Sequence, residues 1–154
     1  MFYSLLKLSH VLSILVWVGG MVFAHFFLRP ALVCLQPPDR LRLMHAVLGR
    51  FFQAVLWMST WAVASGLMMI AAARAGGTPE APFHMPLAWT VMASLGLVMW
   101  LIFGHIRFAL YKRLSTAVDA VQWPAAVAAL ASIRLWVSVN LCLGVLTVAA
   151  VFLL

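Results

Sequence analysis

The chain has 154 residues, of which 66% are hydrophobic and only 8% charged, against roughly 45–50% and 25% in soluble domains. A chain so poor in charge cannot clothe a water-facing surface, which excludes a soluble globular domain. Its net charge of +7 comes from basic residues that flank apolar runs, with no nucleic-acid-binding motif beside them, so no nucleic-acid partner is expected.

The charges leave four gaps: Lys7 to Arg29, Arg50 to Arg74, Glu80 to Arg107, and Arg134 to Leu154. Each holds about twenty mostly apolar residues, the length at which a helix crosses roughly 30 Å of hydrocarbon. The runs are continuously apolar and do not alternate as lipid-facing barrel strands would. The sequence therefore predicts an all-α fold, an integral membrane four-helix bundle forming a single domain over 1–154. Its spans fall at about 5–28, 50–73, 85–107 and 134–154, with cytoplasmic loops at about 29–49 and 108–133. Arg29, Arg40, Arg42 and Arg50 lie by the first loop; Arg107, Lys112, Arg113 and Arg134 lie by the second. Only Lys7 and Arg74 fall on the opposite side, so the positive-inside rule predicts both termini on the periplasmic side of a bacterial-type inner (plasma) membrane.

In chain order, span one opens near Lys7 and His10, carries Trp17-Val18-Gly19-Gly20 at its middle and closes on His25. The two glycines make a flat surface for a neighbouring helix or a macrocycle. The segment is too long for a signal peptide and has no small-x-small cleavage site, so it is expected to be retained. Pro30, Pro37 and Pro38 are expected to end the first helix, with Asp39 as N-cap of the stretch leading into span two. Residues 40–49 read as a basic amphipathic lead-in, and His45, cut off from the apolar part by Arg50, reads as solvated or interfacial. Gly76, Gly77, Pro79 and Pro82 make a short outer loop, and Pro86 fits the first turn of the third helix. Trp123-Pro124 precedes the alanine-rich run 125–131, read as a surface helix leading into span four. Cys34 and Cys142 are isolated, which predicts no disulfide, and no CxxC or CxxCH motif is present, so any haem would be held non-covalently.

Between their flanking charges the spans contain no acid and no lysine, which leaves histidine as the ionisable group on which chemistry can rest. His10 and His84 fall at the outer ends of spans one and three, His25 and His105 at the inner ends. Two histidines facing across a bundle are the axial ligands of a b-type haem. The leading expectation is thus a haem b protein, with one or two haems, transferring electrons between a quinol-level donor or periplasmic redox partner and an acceptor. Asn140 and Arg107 would bond a histidine or a propionate; no catalytic residue is assigned. The spacings match only partly: His10 to His25 is fifteen residues, about 22 Å along a helix, and His84 to His105 twenty-one, about 31 Å. The same histidines, with Arg29 and Arg107 close by, also fit as ordinary interfacial residues. Copper is the alternative, because imidazole and thioether together suit it and His10, His84 and Met85 share the outer face. Most other methionines, Met68, Met69, Met92 and Met99 among them, read as core packing. A third reading is a cofactor-free partner subunit. Beyond the lipid bilayer, the glycine-rich faces are compatible with a homodimer.

The runs Leu6-Lys7-Leu8-Ser9-His10, Trp17-Val18-Gly19-Gly20 and Phe23-Ala24-His25-Phe26 through Arg29-Pro30-Ala31-Leu32 resemble the opening of CopD-type (copper-resistance D) membrane proteins. His84-Met85, Ile102 to Phe108 with Tyr111-Lys112-Arg113-Leu114, and Asn140-Leu141-Cys142-Leu143-Gly144 resemble later parts of that family. The resemblance implies an inner-membrane helical bundle associated with copper handling, in which His10, His25, His84 and His105 match recurrent histidines and His45 matches none. Longer members have more than the four spans expected here. The opening also looks like HemJ-type protoporphyrinogen oxidase, a four-helix haem-pathway protein; that family relies on a lysine in its third helix, and 87–104 contains none.

Overall fold

A computed structural model describes residues 1–78 and 82–154, and all regular structure among them is helical. Four helices, α1 (Phe2–Cys34), α2 (Pro37–Ala75), α3 (Leu87–Asp119) and α4 (Trp123–Leu153), are each long and apolar enough to cross a membrane. Their large apolar side chains face outward, Leu15, Phe27, Trp57 and Leu135 among them, as lipid-facing surfaces require. α1 packs chiefly on α2 and α3 chiefly on α4, while α2–α3 and α1–α4 meet over smaller faces, so α1 and α3 lie on a diagonal.

The helices run further than the predicted spans. α1 continues to Cys34 and α2 starts at Pro37, so most of 29–49 is helical. α2, at 39 residues, is about 58 Å long and overshoots a 30 Å hydrocarbon layer. Proline occupies its first turn, where no N–H is needed, behind an extended Gln36. Asp39 is therefore not the N-cap; it sits inside the first turn, favourable to the helix dipole, and pairs with Arg42 at 3.4 Å. Pro86 likewise sits at the N-cap of α3 rather than within its first turn. The alanine-rich 125–131 is no separate surface helix but the start of α4, with Ala126 fully buried. Pro79 belongs to the expected outer loop and lies outside the described residues.

Pro30 does not end α1. Proline lacks an N–H, and its ring collides with the carbonyl four residues back. Here the helix widens to π geometry over Phe23–Leu28, with the Arg29 N–H on the Ala24 carbonyl, and passes through Arg29–Ala31 before a 3₁₀ turn at Leu32–Cys34. α3 carries a second π segment, Ile106–Leu110, closed by the Tyr111 N–H on the Ile106 carbonyl.

Aromatic packing fills the middle of the bundle and joins the diagonal: Trp17 meets Phe103 edge-on at 6.3 Å, and Phe52 meets Phe103 at 6.0 Å. Gly20, not Gly19, is the glycine that helix packing demands. A Cβ at Gly20 would run into the ring of Phe51 on α2, whereas one at Gly19 meets nothing within 4 Å. Gly144 of α4 seats Val18 and Met99 in the same way.

α3 ends in a Schellman turn, with the Val121 N–H on the Val118 carbonyl and the Gln122 N–H on the Ala117 carbonyl. The left-handed position of that turn, usually glycine, is held by Val121 at φ 57°, 57% exposed. Val121→Gly is expected to stabilise the fold by about 0.5–1 kcal/mol, the relief of left-handed strain less the added freedom of the unfolded chain. Gly20→Leu should cost about 1–3 kcal/mol and Gly19→Leu under about 0.5. Thermal unfolding in detergent checks all three; equal effects at the two glycines would contradict the packing described.

Candidate functional site

Serine in a membrane helix has no water to bond and turns its hydroxyl back to its own backbone. Ser9, Ser13, Ser94, Ser132 and Ser138 do this. Ser65 of α2 does so and more. Fully buried, its hydroxyl donates to the carbonyl of Trp61 at 2.6 Å, with the Ala62 carbonyl at 3.1 Å, while its oxygen lies 3.0 Å from Nδ1 of His10 on α1. The 2.6 Å contact favours keeping the serine proton on the Trp61 carbonyl, an assignment that puts the hydrogen of the His10–Ser65 bond on Nδ1. Nε2 is left with a bare lone pair, and it is buried with no hydrogen-bond partner. Gly66 makes room for the ring, since a Cβ there would come within 3.3 Å of Cε1. A ring oriented through one nitrogen, with the other bare, is the state in which imidazole binds a metal.

The other expected site residues are dispersed. His84 is exposed and Met85 half-buried in the non-helical stretch 82–86 that leads into α3. His25 lies within the first π segment and, with Arg29, Arg40 and Arg134, lines a groove between α1, α2 and α4. His105 immediately precedes the second π segment, is exposed, and rests edge-on against Trp136 of α4 at 5.5 Å. No hydrogen bond or ring contact links His10 with His84 or His25 with His105. The centre between helices α1 and α3 is occupied by Trp17 and Phe103. Among the described residues no three His, Cys, Asp or Glu side chains converge as a metal site would require. Cys34 and Cys142 are free and exposed.

Arg107 lies over the rings of Tyr111 and Phe108 at 5.4 and 5.7 Å, and its Nε is buried without a partner. Asn140 is 1% exposed, and neither its amide nitrogen nor its oxygen finds a hydrogen bond. An unsatisfied buried amide costs about 1–3 kcal/mol.

Sequence reasoning missed the part His45 plays. The residue is half-buried, with Nε2 3.2 Å from the Ser115 hydroxyl and its ring stacked on Tyr111 at 5.3 Å, and the Tyr111 hydroxyl donates back to the His45 carbonyl at 3.2 Å. Gly49 admits this contact, since a Cβ there would strike the Tyr111 hydroxyl. The cluster clasps α2 to α3 on the predicted cytoplasmic side. The available signal was the distance of four residues between His45 and Gly49, one helical turn that puts ring and gap on one face.

¹⁵N spectra of the histidine-labelled protein should show His10 protonated at Nδ1 and bare at Nε2, with Ser65→Ala shifting it toward a tautomer mixture. Protonation of Nε2 in the unmodified chain would refute the assignment.

The family model for copper resistance protein D, CopD, matches residues 45–154, and the chain belongs to that family. No curated protein and no solved structure matches the chain. With four apolar helices and this membership, it is a multi-pass membrane protein associated with copper resistance.

Proposed function

We propose that this CopD-family chain binds copper as its cargo in the inner membrane and hands it through the bundle, with Nε2 of His10 as the ligand that receives the ion. The observation that carries the reading is the bare, buried and oriented Nε2 of His10, held through Ser65. His84 and Met85, where α3 begins, supply an imidazole and a thioether at the same end of the bundle and take up the ion first. The ligand set is neutral, because no carboxylate lies in the apolar runs. Neutral nitrogen and soft sulfur favour Cu(I), and a monocation costs less to bring into hydrocarbon than a dication. Met99 of α3, Met21 of α1 and Met44 of α2 are all buried and supply further thioethers toward the other end.

A second reading, haem b held by the histidines of α1 and α3 in electron transfer with a quinol-level or periplasmic partner, draws on a different observation. The unpartnered Arg107 Nε and Asn140 amide are groups that a propionate-bearing macrocycle could engage.

One preparation separates the two. Cu(I) titration of the purified chain against a competing chelator should show stoichiometric binding that is lost in His10→Ala, reduced in His84→Ala and weakened about 10–100-fold in Ser65→Ala. Unchanged binding in His10→Ala sinks the copper site. A reduced-minus-oxidised optical spectrum with stoichiometric b-type bands that weaken in His10→Ala or His105→Ala establishes haem instead.

A further inference from the structure

Arg29, Arg40 and Arg134 come from three different helices, α1, α2 and α4, and line one groove of about 270 Å³ together with His25. Like charges brought to one groove repel one another, and an anion placed among them offsets that repulsion. Arg134 lies in the positive field of both other arginines. Among the described residues no carboxylate answers them: Asp39 is paired with Arg42, and Asp119 accepts from the Ser115 hydroxyl. The positive-inside rule explains basic residues on this side of the membrane, but not their convergence on one concave site. The rest of the lining is apolar. Met44 and Ile133 form a buried floor, and Val33 and Val127, 69% and 50% exposed, stand where the groove opens to its surroundings.

From this geometry we infer a binding site for the phosphate group of an anionic phospholipid of the cytoplasmic leaflet, with the three guanidiniums on the phosphate and the apolar wall along the first carbons of an acyl chain. Guanidinium matches phosphate through paired, planar hydrogen bonds. Basic pockets between membrane helices at headgroup depth are suited to such lipids. A free phosphate would satisfy the arginines but leave the apolar wall without a partner. The inference rests on the three arginines and uses none of His10, His84 or Met85; Met44 is common to the groove floor and the copper reading, and the variants tested leave it in place.

The test uses the full chain, delipidated in detergent, titrated with phosphatidylglycerol, phosphatidylcholine or inorganic phosphate and followed by native mass spectrometry. The unmodified chain should retain phosphatidylglycerol in preference to phosphatidylcholine. Each guanidinium removed should weaken retention roughly fivefold, so Arg40→Gln with Arg134→Gln lowers it about 25-fold. Arg50→Gln with Arg113→Gln, outside the groove, should leave it unchanged. An equal fall in the two double variants would mean a diffuse basic surface and overturn the site, as would full retention in the groove variant. Displacement of the lipid by millimolar inorganic phosphate would assign the groove to a soluble anion and overturn the lipid. Should the groove variant fail to fold, the exposed Arg29→Gln gives the same reading at fivefold.

Discussion

A hydrocarbon layer offers no water to complete a hydrogen bond, and this single deficit governs the rest of the molecule. Each backbone amide must bond within its own helix, so the chain crosses as long helices and keeps its connections short. Where the pattern gives way, it widens rather than breaks: the Phe23–Leu28 segment shifts its bonding to the fifth residue back, and the helix proceeds through Pro30. The second such segment, Ile106–Leu110, occupies a corresponding place in α3 with no proline to demand it. Each lies at a histidine, His25 in one case and His105 in the other, and π segments of this kind concentrate where function needs a side chain re-aimed.

The same deficit makes polar side chains informative. Most hydroxyls in the bundle are spent on the backbone of the preceding turn, which is the ordinary resolution and carries no chemistry. Against that background the buried atoms without partners, His10 Nε2, Arg107 Nε and both ends of the Asn140 amide, are the groups with capacity left over. His10 differs from the others because its opposite nitrogen is anchored, so its free lone pair has a fixed direction.

The sequence made the four helices legible because burial in lipid is a composition rule, and the gaps between charges state it directly. The copper-resistance D resemblance, read from short motifs, is borne out over 45–154 by the family match. Helix extents were less legible. Polar, amphipathic turns beyond the hydrocarbon cost little to continue. Arg29–Cys34 therefore stays helical past Pro30, where the first helix was expected to end, and the amphipathic lead-in at 40–49 is one helix with span two, starting at Pro37 rather than after Asp39. The second π segment and the left-handed Val121 left no composition signal at all. At the site, residue type singled out His10. Its partner Ser65, 55 positions away, was indistinguishable from the other serines of apolar runs, because only tertiary packing selects which one meets the ring. His45 was read as interfacial from its neighbour Arg50, whereas its stacking on Tyr111 depends on how α2 and α3 cross. Copper, not haem, is the metal to which family membership points, although paired histidines had placed haem first.

The division of packing into an α1–α2 pair and an α3–α4 pair has a bearing on biosynthesis. His10 and Ser65 both belong to the first pair, so the hydrogen bond that orients the imidazole is internal to the α1–α2 hairpin, which is translated before the α3–α4 hairpin. Helices inserted in sequence can associate as they arrive. The His10 ring is then held by Ser65 before the α3–α4 hairpin enters the bilayer, and closing the bundle encloses an imidazole whose orientation is already set.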